Sequence, residues 1–463
     1  MSLTNNNRPK SKGGARKLTS GSVWKSILFF ALPLLGSSLV QQMYSTVDLI
    51  FVGRFIGKEA AAAVGSGDLL LTCLIGLFTG ISVGSGVIAA HSYGSDDRVR
   101  FHDTLQTVYS FGIIGSLVLF IIGECMAPVF LRWLNTPQEI MPMATTYLRI
   151  YFCGIFAIVS YNLCSGVVRA LGDSASAFRF QVFGGIVNIL GDFVFIVVFR
   201  WGIVGAALAT ALSQTMSALI TIRYLTHIED DIALKITKIT IHKGLLAQVM
   251  RIGIPSGIQS MIISFSNLFI QSIINGLGVD SMAAFAAYLK IELFVYYPII
   301  AFGQALVTFT AQNMGAGQLK RVRQGIRMTL ILGMGTVVVL SLAMLAVSPQ
   351  IFGLFNSDPG VISNGVMMMR ITFPFYFIYV LQESMSSATK GIGYALSPMI
   401  IIVSCMCILR IILLQVTTSM WHNLQAVAVV YPITWLCAGI FMTVNFYRIY
   451  RKNYGSAPQG EMT

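Results

Sequence analysis

The amino-acid sequence predicts an all-α polytopic membrane protein with 12 transmembrane helices. Its 463 residues are 55% hydrophobic and only 11% charged, and the mean hydropathy is +0.75. Soluble domains carry about 25% charged residues, so this chain lacks the polar residues needed to cover a water-facing surface. Apolar runs of about 20 residues, the length of a membrane-spanning helix, recur along the whole chain. A transmembrane barrel would instead show shorter segments of alternating polarity, which the sequence does not contain.

Twelve apolar runs can each form one membrane-spanning helix. Several are longer than the minimum, so we expect tilted helices or ends that project into water. The predicted spans lie near residues 24–53, 60–90, 104–131, 141–170, 177–199, 202–225, 247–276, 281–311, 326–348, 360–390, 397–418 and 422–449.

The basic residues predict the orientation of these helices. A net charge of +13 could indicate a nucleic-acid partner, but in a membrane protein it more often reflects basic cytoplasmic loops. With the amino terminus inside, 23 of the 31 lysines and arginines fall on the cytoplasmic side. We therefore expect a protein with both termini in the cytoplasm, and no nucleic-acid partner.

An internal repeat divides the chain into two halves. When the sequence is shifted so that Gly94 meets Gly315, HSYGSDDRVR (91–100) aligns with QNMGAGQLKR (312–321), and RALG (169–172) aligns with KGIG (390–393). Each half has an even number of spans and so enters the membrane from the same side, which makes the repeats parallel. Such repeats are common in transporters, with a substrate site between the halves.

The predicted organisation follows from this repeat. It consists of a basic cytoplasmic tail (1–23), an amino-terminal six-helix lobe (24–225), a cytoplasmic connector (226–246), a carboxy-terminal six-helix lobe (247–449) and a second cytoplasmic tail (450–463).

Four polar residues within the first half are the candidate cation site. Asn188 and Asp192 are four residues apart and share one face of the fifth span, while Asp48 and Thr210 lie in the first and sixth spans. A rise of about 1.5 Å per residue places all four at similar depth in the outer half of the bundle. Two carboxylates, an amide and a hydroxyl can form an oxygen cage for Na⁺ or a site for H⁺. Each acid could alternatively serve only to bond a neighbouring helix, but intramembrane acids are costly and are usually functional.

The second half lacks this acidic set. At the same shift, Asp48, Asn188 and Asp192 correspond to apolar residues, namely Phe269, Leu409 and Leu413. The second half instead has embedded charges at Lys290, Glu292, Glu383 and Arg410. A cross-helix ion pair between Glu383 and either Lys290 or Arg410 is expected. Such a pair would be either structural or part of a second site that lines the cavity.

Pro33 and Pro255 occupy matched positions in the first and seventh spans. Proline removes one main-chain hydrogen bond and kinks a helix, so these residues are either fixed kinks or points of bending during gating. The cysteines lie in apolar spans and the histidines are scattered near loops. Neither set has the spacing of a metal or nucleophile site, and we expect no metal beyond Na⁺ at the candidate cation site, no cofactor and no enzymatic activity.

Six stretches of the sequence carry a family resemblance. They are LPLLGSSLVQQMYSTVDLIFVGRFIG in the first span, followed by GSGVIAAHSYGSDD, VVRALGDSASAF, NILGDFVFI, WGIVGAALATALS and TFTAQNMGAGQLKRVRQG. Taken together, they resemble signatures of the multidrug and toxic compound extrusion family. The resemblance covers roughly residues 24–450 and implies two six-helix lobes around a V-shaped cavity. It also implies a cation site at Asp48, Asn188, Asp192 and Thr210. The acid that some members carry on the seventh helix is missing here around Ile263, and Glu383 could replace it.

The expected function is secondary active antiport. The resemblance implies export of amphipathic, often cationic compounds in exchange for H⁺ or Na⁺, by a monomer in the bacterial cytoplasmic membrane. The alternative is a lipid or lipid-linked oligosaccharide flippase of the same superfamily. Such flippases tend to place basic side chains in the cavity, whereas the first half of this chain offers acids, with Arg149 the main mid-span exception.

Overall fold

The computed structural model describes residues 17–454, apart from the side chains of residues 68, 69 and 454. Parts of both predicted tails, residues 1–16 and 455–463, lie outside the described residues. Within the described part the chain is helical, with no strand. The helices are α1 (Val23–Phe51), α2 (Lys58–Gly94), α3 (Arg98–Trp133), α4 (Met141–Cys153), α5 (Ile155–Ala170), α6 (Ser174–Asp192), α7 (Gly202–Thr226), α8 (Lys243–Asn275), α9 (Val279–Gly315), α10 (Leu319–Ala346), α11 (Ser348–Phe355), α12 (Pro359–Thr372), α13 (Tyr376–Gly391), α14 (Leu396–Ile402), α15 (Arg410–Met420) and α16 (Leu424–Tyr454).

Membrane-spanning helices dominate the described chain. Eleven are long and apolar enough to cross a membrane, and a twelfth span results if α4 and α5 are counted as one. These two helices meet at a 50° bend around Gly154. The expected continuous helix over 141–170 is therefore broken. At Gly154, an added methyl group would lie 3.0 Å from the Ala211 side chain, so the bend lies where α7 passes closely.

The hydrophobic cores divide the molecule into two lobes. One core contains residues from α8 to α16 only, and two others lie mainly among α1 to α7. We call α1–α7 the first lobe and α8–α16 the second lobe. The segment between them, residues 227–242, contains no helix.

The lobes meet most closely where α2 crosses α8, because glycines remove the side chains between their backbones. A methyl group on Gly80 would lie 2.1 Å from the main-chain nitrogen of Gly257, and one on Gly84 would lie 2.3 Å from the carbonyl oxygen of Val249. Real Cβ atoms cannot approach so closely. This contact depends on glycine in the way that close helix packing in membranes generally does.

The same principle closes one end of the molecule. A methyl group on Gly94 would lie 2.0 Å from the carbonyl oxygen of Gln312, and one on Gly315 would lie 2.0 Å from that of His91. The ends of α2 and α9 therefore touch through their main chains. We call this end, defined by Gly94 and Gly315, the closed end, and it is the apex of a V formed by the two lobes.

The first half of α1 packs on the second lobe at the closed end. The buried residues of this hydrophobic contact are Leu18, Ile27, Phe30, Ala31 and Leu34 on one side and Ala301, Phe302, Ala305 and Phe309 on the other. Further along α1, the Tyr297 hydroxyl donates to Gln42 Oε1 at 2.9 Å across the two lobes.

Candidate functional site

Helices α1 and α6 run in parallel and bring Asp48 to the level of Asp192. A methyl group on Gly36 would lie 2.8 Å from the Phe178 ring, and one on Gly185 would lie 3.2 Å from the Tyr44 ring. The two helices thus keep nearly the same register at both contacts. Continued by one further turn, this register places Asp48 beside the end of α6, where Asp192 lies.

The two carboxyl groups interact directly. Asp192 lies within hydrogen-bonding and electrostatic reach of Asp48. Asp192 is 0% exposed, and neither of its oxygens has a hydrogen-bond partner of regular geometry among the described residues. Two acids in a buried position repel each other when both are ionised, so this arrangement favours a shared proton or a bound cation between them.

Asn188 lies one turn from Asp192 and is 1% exposed. Within the described chain, its Oδ1 atom also has no hydrogen-bond partner. An unsatisfied buried amide oxygen is costly. Asn188 therefore presents a buried amide oxygen without a hydrogen-bond partner one turn from Asp192.

Thr210 reaches the same level from α7. A methyl group on Gly191 would lie 3.0 Å from the Ala209 side chain, and one on Gly184 would lie 2.1 Å from Ser217 Oγ. These antiparallel contacts place Thr210 between the levels of Asn188 and Asp192. The structure thus brings the four residues of the candidate cation site to one depth.

Two π-helical segments that were not expected from the sequence lie within one helical turn after the acids. One is Val52–Ile56, at the end of α1, and the other is Phe193–Val198, directly after Asp192. The two segments contact each other. Short π-helical turns shift side chains around a helix and are frequent at functional sites. No simple residue pattern would have indicated them.

A chain of polar side chains, which was not expected from the sequence, continues from the acids toward the closed end. The Tyr161 hydroxyl donates to Gln181 Oε1 at 2.5 Å, and Gln181 Nε2 donates to the Tyr44 hydroxyl at 3.3 Å. Tyr44 is close enough to Asp48 to interact electrostatically. Tyr44 lies one helical turn before Asp48, a spacing that could have indicated the link.

In the second lobe, Glu292 belongs to a chain of hydroxyl groups. Tyr376 donates a short hydrogen bond to Glu292 Oε1. Tyr288 lies 3.3 Å from the Tyr376 hydroxyl and donates to Thr372 Oγ1 at 3.0 Å. Tyr288, Tyr376 and Thr372 are almost fully buried, so Glu292 is held in one place by the packed core.

The expected ion pairs of Glu383 with Lys290 or Arg410 are wrong: neither is formed in the described part of the chain. Glu383 instead accepts a hydrogen bond from Ser387 at 3.1 Å, and its neighbouring cation is Lys390, on the same helix. Lys290 is exposed. Helix packing decides these partners: Glu383 lies beside Gly303 of α9, which is 13 residues after Lys290 in the same helix and therefore about 20 Å away along its axis.

Arg410 is 6% exposed and is bound by neutral groups. Its Nε and Nη2 atoms donate to Thr434 Oγ1 at 3.2 and 2.9 Å, and its guanidinium lies 4.5 Å from the centre of the Tyr431 ring. Glu292 is the carboxylate that it attracts. The second lobe thus gives each of these two embedded acids a cation of its own, Arg410 for Glu292 and Lys390 for Glu383.

Aromatic rings connect these charged groups. Tyr376 lies 4.6 Å and Tyr379 lies 5.6 Å from Trp435, and Tyr296 lies 6.0 Å from Tyr379. Tyr296 and Tyr379 both interact electrostatically with Glu383. This combination of aromatic faces and a carboxylate is suited to an organic cation.

The comparison with a family model decides the identity of the fold. The MatE model matches the chain twice, over residues 33–194 and 255–416. The chain belongs to the MatE family. The two matches have the same length and cover corresponding parts of the two halves, which confirms the internal repeat. Members of this family are transporters and not enzymes.

Curated MatE-type relatives extend over most of the chain. It is 28% identical over 396 residues to "Probable multidrug resistance protein YoeA" of Bacillus subtilis, which covers 83% of this chain and 85% of that protein. It is 30% identical over 318 residues to "Probable multidrug resistance protein YpnP" of Bacillus subtilis, covering 66% and 69%. It is 22% identical over 357 residues to "Multidrug export protein MepA" of Staphylococcus saprophyticus, covering 76% and 78%.

Solved structures share the fold. The chain matches an outward-facing MATE family transporter of the MOP superfamily with a TM-score of 0.88 and 21% identity, over 96% of this chain and all of that one. It also matches a MOP superfamily transporter from Pyrococcus furiosus, described as having a binding pocket of reversed polarity. There the TM-score is 0.87 and the identity 22%, over 96% and 99% of the two chains. These matches confirm the expected architecture of 12 helices in two lobes.

In this MatE protein, Pro33 lies where α1 packs between the two lobes. Leu34 and the residues before Pro33 pack on the second lobe, whereas Gly36 and Tyr44 pack on α6 of the first lobe. Pro255 lies in α8 between Gly253 and Gly257, at the crossing with α2. Both prolines therefore lie at contacts between the lobes.

Proposed function

We propose that this membrane transporter exports amphipathic, mainly cationic organic compounds in exchange for H⁺ or Na⁺ by alternating access. The relatives named as multidrug resistance and export proteins support the substrate class. The close approach of Asp48 to the fully buried Asp192 supports the coupling. It is the single observation that carries the proposal.

The candidate cation site would hold the coupling ion through the two carboxylates, Asn188 Oδ1 and the Thr210 hydroxyl. These oxygen donors suit Na⁺, and the same pair of acids suits a shared proton. Among the described residues, no group of three or more His, Cys, Asp or Glu side chains could hold a metal ion. The fit is therefore to a monovalent ion or a proton.

The acids and rings of the second lobe would contact the transported compound. Glu383 supplies the negative charge, and Tyr296 and Tyr379 supply aromatic faces. The first lobe would then bind the coupling ion, and the second lobe would contribute most of the contacts to the organic cation. A lipid or lipid-linked oligosaccharide flippase fits less well, because the acids of the first lobe would repel a pyrophosphate.

We place the protein in the bacterial cytoplasmic membrane as a monomer, with both termini and the closed end in the cytoplasm. The basic residues support this orientation. The connector lies at this same end, because its Glu229 and Asp231 pair at 2.6 Å with Arg98, four residues after Gly94.

Transport by the purified protein in proteoliposomes tests the coupling. An imposed pH gradient and an imposed Na⁺ gradient are applied separately, with a fluorescent organic cation as substrate. We expect one gradient to stimulate uptake, and Asp48→Asn and Asp192→Asn each to abolish the stimulation. Asp280→Asn, in the first turn of α9, is the matched control and should retain it. Stimulation by neither gradient, or full stimulation in both carboxylate variants, would overturn the proposal.

A further inference from the structure

The segment that precedes α1, residues 17–21, crosses the closed end as a turn of irregular main chain. Leu18 is 2% exposed and packs with Ile27, Phe30 and Phe309. Its main-chain N–H donates to Gln312 Oε1 at 2.8 Å. Leu18 is therefore buried in an apolar groove formed by residues of α1 and α9, whereas Ser20 and Gly21 stay exposed.

Arg321, at the start of α10, holds this segment by its carbonyl groups. The guanidinium donates from Nε and Nη2 to the Leu18 oxygen at 3.2 and 3.1 Å, from Nη2 to Ser20 at 2.9 Å and from Nη1 to Gly21 at 2.8 Å. Only arginine has such a planar fork of donors. Because the acceptors are main-chain oxygens, the contact fixes the path of the chain whatever its side chains.

The same segment also contacts the first lobe. Lys17 Nζ lies 2.9 Å from Asp96 Oδ1 and 5.7 Å from the centre of the Tyr93 ring. Gln312 accepts from Leu18 and donates through Nε2 to the carbonyl oxygen of Ala170 at 2.7 Å. One buried amide thus joins the segment, the second lobe and the first lobe.

A pseudo-symmetric contact exists on the other side. Arg100, which corresponds to Arg321 in the repeat, donates from Nη2 to Gln248 Oε1 near the start of α8 at 2.7 Å. The connector before α8 is bound to α3, where Gln106, Thr107 and Ser110 accept main-chain hydrogen bonds from residues 235, 242 and 240. Each lobe therefore binds, through hydrogen bonds, the segment that leads into the other lobe. The connector is covalently tied to both lobes, whereas residues 17–21 are held at the second lobe by non-covalent contacts alone.

We propose that residues 17–21 are a latch that keeps the closed end shut and must leave its groove before the lobes can separate there. This rests on the proposed function in so far as alternating access requires this end to open. Separation moves Ala170 and Asp96 away from Gln312 and Arg321, so the segment cannot keep both sets of contacts. Residues 17–21 therefore shift the equilibrium between closed and separated lobes, although they lie outside the sites proposed for the ion and the substrate.

Spin labels on the two lobes measure this balance without any transport assay. Val99 in α3 and Gln324 in α10 are exposed and are changed to cysteine, with the exposed Cys125 and Cys153 replaced by serine. Distances are recorded by double electron–electron resonance on the full-length protein in lipid nanodiscs. We expect Arg321→Ala to raise the ratio of separated to closed lobes by about fivefold or more, the effect of losing one net hydrogen bond.

Two further variants sharpen the test, together with one control on each side of the contact. Arg321→Lys keeps the charge but not the fork, and should behave like Arg321→Ala. Leu18→Asp, which puts a charge into the apolar groove, should have the same effect without any change to Arg321. Arg327→Ala on the same helix and Trp24→Asp at the exposed start of α1, outside the segment, are the matched controls, and both should leave the ratio unchanged.

Equal distance distributions in wild type, Arg321→Ala and Leu18→Asp would overturn the latch. So would an equal shift in the two controls, since charge alone would then explain it. Absence of ion-driven transport by the wild type, together with the expected shift in the distances, would overturn the proposed function and leave the latch standing.

Discussion

Gly94 and Gly315, which correspond to each other in the internal repeat, face each other's helices reciprocally at the closed end. Each would place a methyl group 2.0 Å from a carbonyl oxygen of the opposite helix. The internal repeat thus appears in the structure as a two-fold contact of main chain on main chain. The two lobes can close here because both positions lack a side chain.

Gly94→Ala and Gly315→Ala should each prevent full closure. The opposing atoms belong to the main chain and cannot move away as a side chain would, so we expect a cost of about 2 kcal/mol in the closed state. Distances between labels on the two lobes would show the shift to separated lobes. Gly335→Ala in α10, with no atom within 4 Å of the added methyl, should leave the distances unchanged. A closed-end distance in Gly94→Ala equal to wild type would contradict this.

Asn188→Leu tests the neutral oxygen of the candidate cation site. Leucine has a similar size but no oxygen, so we expect the ion concentration for half-maximal transport to rise by about tenfold, the effect of about 1.4 kcal/mol. The fold should be retained, because Asn188 Oδ1 bonds to no other described residue. The dependence of transport on ion concentration measures this. Asn453→Leu, at the exposed end of α16, is the control, and an unchanged ion dependence in Asn188→Leu would remove Asn188 from the site.

Pro33→Ala tests bending of α1 where it packs between the two lobes. Alanine restores the missing main-chain donor and favours a straight helix. We expect thermal stability in detergent to be kept or raised, while the transport rate falls by about tenfold or more because one access state is disfavoured. Pro432→Ala, inside α16, should have no comparable effect on transport. Full transport by Pro33→Ala would show that the proline is a fixed kink.

Arg410→Met tests the charge balance of the second lobe. It leaves Glu292 without its cation in a buried setting, so we expect a loss of about 3 kcal/mol in stability. Glu292→Gln in the same chain should recover much of it, because the amide needs no counter-charge. Thermal unfolding of the single and double variants gives the coupling between the two residues. If the double variant is no more stable than Arg410→Met, stacking on Tyr431 rather than charge explains the role of Arg410.

The common depth of the four residues proposed as a cation site could be predicted from the sequence. A constant rise per residue fixes the height of a side chain along a helix, and this was enough to place Asp48, Asn188, Asp192 and Thr210 together. The partners in the second lobe could not be found in this way. The register between two helices far apart in the chain is set by packing, and Glu383 lies beside Gly303 and Ser387 rather than beside Lys290 or Arg410.

The sequence by itself determined that the chain is a twelve-span membrane protein built from two parallel repeats, with the candidate cation site in one half only. Composition and apolar run length decide the class, because a bilayer admits no other economical arrangement of such a chain. Only the tertiary structure decided how helices face one another. It decided the bend at Gly154, the packing of α1 between the lobes at Pro33, and the contacts by which Arg321 and Gln312 hold residues 17–21. Contacts between segments far apart in the chain depend on packing, and no local pattern in the sequence records them.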